Sequence, residues 1–185
     1  MPSPIELGLA VLTPEFLQNH ENLYKLFATG IKWDERIRAR KVASFGMPYN
    51  YSGTVWPASP VPSFLQELFV MLAEKVQYLP NNCLANFYPT GESTMGFHSD
   101  SIEELEPGTG IIIMSLGSPR TMVFRNNVNR SEQHQLILQP GSLFHMSAEL
   151  QEHWQHAIQA EPDITAGRVS LSFRKLKMNL ITQSH

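Results

Sequence analysis

At 185 residues and 42% hydrophobic, the chain is long enough to bury one sizeable core and short enough to be a single domain, expected over 1–185. Thirteen prolines and 11 glycines argue against a helical bundle, and a net charge of −3 gives no general pull toward a polyanion, so nucleic-acid binding needs a local basic patch. The lone Cys83 excludes an internal disulfide, the start "MPSPIELGLAVLTPEF" has no basic leader, and no stretch nears the roughly 18 apolar residues of a membrane span. The expectation is a soluble monomer without a membrane partner, in the cytoplasm, or in the nucleus of a eukaryote.

In chain order, Thr13 before Pro14 predicts a helix start, because threonine caps free N–H groups and proline fits the first helical position. The helix should run to about Phe27, with Phe16, Leu23 and Phe27 on one stripe. "PYNYSGTVWPASPVP" reads as a loop over a surface or a site. A second helix is expected from about Pro62 to Tyr78, where Leu65, Leu68, Phe69, Leu72 and Val76 recur at helical spacing before "LPNN". From residue 83 the period falls to two. The runs CLANFY, IIIMSL, TMVFR, QLIL, SLFHM, HAIQ and RVSLSF alternate with turn residues, the pattern of a sandwich or jelly roll, and "RNNVNR" is a hairpin turn within it.

In "RVSLSFR", Arg168, Ser170, Ser172 and Arg174 share one strand face and Val169, Leu171 and Phe173 the other. The polar face suits either solvent on an exposed sheet or, if buried, an anionic ligand, because a buried guanidinium without a partner is very costly. Asn86 and Tyr88 alternate onto one face in the same way. "GFHSDSIEEL" sets His98 two positions before Asp100, a pair that by itself arises easily by chance, and "HWQH" offers His153 and His156.

The order N-x-Y, H-x-D, "SLG", "PGSLFHM", "HWQHAI", R-x-S-x-S-F-R resembles the AlkB-like branch of the Fe(II)- and 2-oxoglutarate-dependent dioxygenases over about residues 31 to 175, including "RKVASFG" and "YNYSG". The resemblance implies an α+β, mainly β protein: a double-stranded β-helix, or jelly roll, over about 83–175, with N-terminal helices packed on one sheet and a substrate-recognition lid over about 31–60. It implies that His98, Asp100 and His156 form a facial triad for Fe(II), which leaves coordination sites open for a bidentate co-substrate and dioxygen. His153 is the local competitor for the third position, and the family's W-x-H pattern favours His156. His20, His134 and His145 read as surface or packing residues. By position, Arg174 with Asn86 should meet the iron-chelating end of 2-oxoglutarate, and Arg168, Tyr88 and Ser170 its distal carboxylate. Many members carry asparagine where Ser170 stands and threonine where Ser172 stands.

Members that repair alkylated nucleic acid hydroxylate an N-methyl group, which leaves as formaldehyde, and take the base out of the stack to do so. Tyr51 falls where the resemblance implies an aromatic stacked on the base, beside Ser52; a loop anchor packed on the core is the other reading of Tyr51. Arg36, Arg38, Arg40 and Lys41 suit phosphates, or equally a solvated face interrupted by Asp34 and Glu35. Repair members commonly show an acidic residue two positions after the metal Asp, where this chain has Ile102. Oxidative demethylation of N-alkylated bases in single-stranded DNA or RNA is thus the implied activity. A protein side chain or small molecule as substrate, and a metal-binding jelly roll without turnover, stand as alternatives.

Overall fold

The computed structural model, which describes residues 2–51 and 54–178, begins with β1 (Ala10–Thr13), α1 (His20–Gly30), β2 (Lys41–Gly46), β3 (Tyr49–Tyr51), β4 (Thr54–Trp56) and α2 (Ser63–Val76). There follow β5 (Asn82–Tyr88), β6 (Met95–His98), β7 (Gly110–Gly117), β8 (Arg120–Asn126), β9 (Gln133–Leu138), β10 (Leu143–Ser147), α3 (Ala148–His153), β11 (Trp154–Ile158) and β12 (Arg168–Arg174). A six-stranded sheet, β1-β10-β7-β12-β5-β2, faces a four-stranded sheet, β6-β11-β8-β9, while β3 and β4 form a separate hairpin. This is the expected jelly roll, all of its described strand pairs antiparallel.

Strand alternation builds the two cores. Ala43, Phe45, Cys83, Ala85, Ile112, Met114, Val169, Leu171 and Phe173 point from the larger sheet toward Leu23 and Phe27 of α1 and Leu65, Leu68, Phe69 and Leu72 of α2. Val42, Leu84, Tyr88, Ile111 and Ile113 point the other way, against Met122, Phe124, Trp154 and Ile158 of the smaller sheet. The helices therefore cover one face, and the second face is left to line the space between the sheets.

Three sequence expectations shift. The first helix starts at His20, not at Thr13. Residues 10–13 pair with β10, the chain turns at Glu15 with φ +51°, and Leu17 N–H donates to Gly141 O, so tertiary pairing overrides the capping signal. The second helix ends at Val76, where Gln77 adopts φ +65° and its N–H returns to Ala73 O. The stretch expected as a loop contains the β3–β4 hairpin, which buries Tyr49 and Trp56, and within the 31–60 region Lys41–Gly46 is an integral strand paired along β5. The expected turn at 125–130 does join the paired strands β8 and β9.

Candidate active site

β12 decides the character of the space between the sheets. It is an interior strand, paired with β5 on one side and β7 on the other, and its polar face is turned toward the smaller sheet and buried: Arg168 is 1% exposed and Arg174 2%. Of the two sequence readings of that face, the exposed one is excluded. Asn86 lies opposite Ser170, and Tyr88 opposite Arg168, in the β5–β12 register.

At the other side of the cavity, β6 pairs with β11 so that His98 stands directly across from His156, and the register breaks immediately after this pair. The ligand atoms of His98, Asp100 and His156 all lie within 4.8 Å of one another, and the imidazole centroids are 4.3 Å apart. His98 Nδ1 lies 2.9 Å from Gly96 O; a carbonyl can only accept, so Nδ1 carries a hydrogen and the ring is oriented by that bond. Asp100 is fixed from two directions, by its N–H donating to Gln151 Oε1 at 2.9 Å and by Arg174 Nη2 donating to Oδ1 at 2.6 Å.

Burial raises the Asp100 pKa, but Arg174, His156 and His98 outweigh it and bring the carboxyl down to about 2. Burial, reinforced by His98 and Arg174 against the pull of Asp100, lowers His156 to about 3. His156 is therefore a neutral imidazole at neutral pH, and its 3.6 Å contact with Asp100 Oδ2 is not an ion pair. Two imidazoles and one carboxylate, converging with His156 Nδ1 buried and without a hydrogen-bond partner, form a donor set that fits Fe(II).

Leu84, Met95, Ile113, Met122 and Ile158 line the cavity between this cluster and Arg168. Arg168 Nη2 donates to Ser115 Oγ at 3.0 Å and Ser170 Oγ at 3.4 Å, while its buried Nε has no acceptor. Its guanidinium sits 5.4 Å from the Tyr88 ring centroid. A buried cation with an unanswered donor fits the carboxylate of a dicarboxylic acid such as 2-oxoglutarate.

The remaining sequence candidates separate. Arg40 is 8% exposed and donates through Nε to Asn86 Oδ1 at 2.8 Å, so it braces a cavity residue from within and does not stand on the surface facing phosphates. Lys41, next along β2, points to the helix side with Ala43 and Phe45 and pairs with Glu35 at 2.6 Å. Arg36 pairs with Asp34 at 2.6 Å and lies over the Trp56 ring. Ser52 and the side chain of Tyr51 lie outside the described residues. His153 is exposed at the end of α3, and Ile102 packs half-buried against the inner core.

Sequence reasoning missed Gln151, which holds Asp100; Ser115, which holds Arg168; and Tyr49, whose ring lies 4.4 Å from the Arg174 guanidinium. Ser115 was detectable as the one polar residue in "IIIMSLG". Gln151 carries no local signal, because its role depends on the fold bringing α3 beside Asp100.

The family model of the 2OG-Fe(II) oxygenase superfamily matches residues 18–174. The chain is similar to the DNA oxidative demethylase ALKBH2 of Mus musculus, 31% identical over 147 residues that cover 74% of this chain and 62% of that protein. The Homo sapiens ALKBH2 is likewise 31% identical over 147 residues, covering 74% of this chain and 56% of that protein. The chain thus spans less than two thirds of the length of these relatives. The solved structure of OsALKBH1 superposes with a TM-score of 0.65 over 90% of this chain and 98% of that one, at 16% identity, a likeness of fold alone.

Proposed function

Because the chain belongs to the 2OG-Fe(II) oxygenase superfamily, we propose that it is an AlkB-like dioxygenase that uses Fe(II), 2-oxoglutarate and dioxygen to demethylate N-alkylated bases of DNA or RNA, with DNA repair as its role. One observation carries this reading: a single cavity has His98, Asp100 and His156 at one side and the carboxylate-free Arg168 at the other. A keto acid with a second carboxylate needs both. The similarity to ALKBH2 proteins, named as DNA oxidative demethylases, supports the substrate class.

When bound, Fe(II) with 2-oxoglutarate and dioxygen supplies the oxidation: one oxygen atom enters a methyl C–H bond, the other leaves in succinate, and carbon dioxide is lost. The chain's own residues do the positioning. His98 and His156 give imidazole nitrogens and Asp100 a carboxylate oxygen to the ion. Gln151 and Arg174 keep Asp100 from turning away. Arg168, with Ser170 and Tyr88, receives the distal carboxylate through charge-assisted hydrogen bonds, and Asn86 and Arg174 orient the keto-acid end. Leu84, Ile113, Met122 and Ile158 keep the intervening wall apolar and exclude water. The hydroxymethyl group left on the base nitrogen then breaks its C–N bond, releasing formaldehyde and the unmodified base.

Single-stranded nucleic acid is the proposed partner. Around the lid, Arg36 and Lys41 are occupied by Asp34 and Glu35 and Arg40 is buried, which leaves Arg38 as the one exposed cation of the four with no ion pair among the described residues, a small charge to offset the few kcal/mol needed to extract a paired base. Tyr51 and Ser52 are the proposed base contacts. The same internal pairing of cations favours the second reading, a protein side chain or small molecule as substrate. The test is to incubate iron-loaded protein with N-methylated oligonucleotides, single- and double-stranded, and follow the mass of each. Loss of a methylene mass from single strands, faster than from duplexes, is expected, and Tyr51→Ala should weaken it without changing uncoupled 2-oxoglutarate turnover. Turnover of 2-oxoglutarate with every oligonucleotide intact would replace the nucleic-acid reading with the second one.

A further inference from the structure

Behind the cavity, at the start of β8, lies a third fully buried arginine. Arg120 is 1% exposed and sends its donors to two separate segments. Nε donates to Glu161 Oε2 at 2.8 Å, and Nη2 to Gln159 O at 2.6 Å, both beyond the end of β11. Nη1 donates to Thr90 O at 3.2 Å, and Nη2 also to Gly91 O at 3.1 Å and Ser93 O at 2.9 Å. Glu161 completes the knot by accepting from Thr121 N and Thr121 Oγ1 at 3.1 and 2.8 Å.

The segment so held, residues 90–93, is the connection between β5, which ends in Tyr88, and β6, which ends in His98. Its packing admits no slack, since a Cβ at Gly91 would meet Glu161 O at 1.8 Å. Glu161 N–H donates to Gly91 O and Gly91 N–H to Ile164 O, closing the turn from the other side. The Arg120 guanidinium also sits 5.8 Å from the Tyr88 ring centroid, the ring that Arg168 approaches at 5.4 Å. One aromatic ring is thus shared by the arginine facing the cavity and the arginine that pins the turn.

Resting on the dioxygenase reading above, we infer that Arg120, held by Glu161, is a positioning residue that sets the affinity for 2-oxoglutarate by fixing Tyr88 and the 90–93 turn behind the distal-carboxylate site. Arg120 touches neither the co-substrate nor the triad; it acts through Tyr88. Glu161 supplies the negative charge that lets a second guanidinium be buried beside Arg168 without leaving two uncompensated cations.

The experiment measures 2-oxoglutarate binding by calorimetry in the presence of manganese, together with KM and kcat, for the wild type, Arg120→Met, Arg120→Lys and Glu161→Gln. Arg120→Met should raise the 2-oxoglutarate KM about tenfold, the usual size of a lost supporting contact, with kcat at saturation nearly unchanged. Arg120→Lys, which keeps the charge but not the planar fork, should recover only part of that loss. Glu161→Gln keeps the shape of the site, and its KM should rise about threefold through loosening of a partly exposed ion pair. If Arg120→Met does not fold, the Glu161→Gln result decides. Variants that bind 2-oxoglutarate as the wild type does, or that lose kcat with KM unchanged, overturn the inference while leaving the dioxygenase reading intact. A folded wild type with no 2-oxoglutarate binding overturns that reading itself.

Discussion

Replacing Arg168 with methionine should make the ligand-free protein more stable and the functional protein worse. The guanidinium is 1% exposed, donates to the hydroxyls of Ser115 and Ser170, and makes no ion pair among the described residues. Burial, partly offset by Tyr88 and Glu161, lowers its pKa to about 10. The group stays charged at neutral pH, so the fold carries a desolvation cost of roughly 3 kcal/mol, the equivalent of the fall from the usual arginine value. Arg168→Met removes that cost and takes a donor from Ser115 and Ser170, at about 1 kcal/mol each. The net gain of about 1 kcal/mol should raise Tm by about 2–4 °C for a chain of this size. Affinity for 2-oxoglutarate should fall by about 2–5 kcal/mol, roughly 30- to 4000-fold, because an arginine–carboxylate pair is lost from a desolvated site. Scanning calorimetry without ligand and titration calorimetry with manganese present read the two effects separately. A variant that melts lower than the wild type and binds 2-oxoglutarate equally well would refute the assignment of Arg168 to an absent anion.

His156→Ala should abolish most Fe(II) binding in equilibrium dialysis while His153→Ala, at an exposed position, leaves it unchanged; the reverse pattern would move the third ligand to His153. For Glu161, burial raises the pKa, but hydrogen bonds from Arg120 and Thr121 outweigh it and the net shift is downward. A depressed folded pKa contributes stability above the unfolded value, lost as pH falls through the folded one. Urea unfolding of Glu161→Gln should therefore weaken less than that of the wild type on acidification below about pH 4. Phe27, fully buried and edge-on to Phe45 and Phe64, anchors α1 on the sheet, and Phe27→Ala should cost about 3–5 kcal/mol in urea unfolding. A loss under 1 kcal/mol would show that α1 is not stabilised through this contact.

The later strands were legible because both periodicity and chemistry are local: in "RVSLSFR" the alternation that packs Val169, Leu171 and Phe173 on α1 and α2 is the same one that aims Arg168 and Arg174 inward. What the pattern could not decide was whether the polar face met water, since that depends on the smaller sheet covering that face of β12. β1 was hidden by a capping signal at Thr13 that pairing with β10 overrides. Arg40 looked like part of a basic stretch, and only the β2–β5 register, which sets Val42 against Asn86, turns it inward. His98, Asp100 and His156 are brought together by strand pairing across 58 positions of chain, and their convergence followed from the ordered motifs, not from any one of them.

The most direct test is to follow succinate and formaldehyde in the same reaction of iron-loaded protein with an N-methylated single-stranded oligonucleotide at limiting 2-oxoglutarate. Formaldehyde is expected to equal the succinate formed in excess of the uncoupled turnover measured without oligonucleotide, and both products to be lost when Asp100 is replaced by alanine. Formaldehyde formed without 2-oxoglutarate, or no succinate under any condition in which the folded protein holds iron, would contradict the proposed reaction.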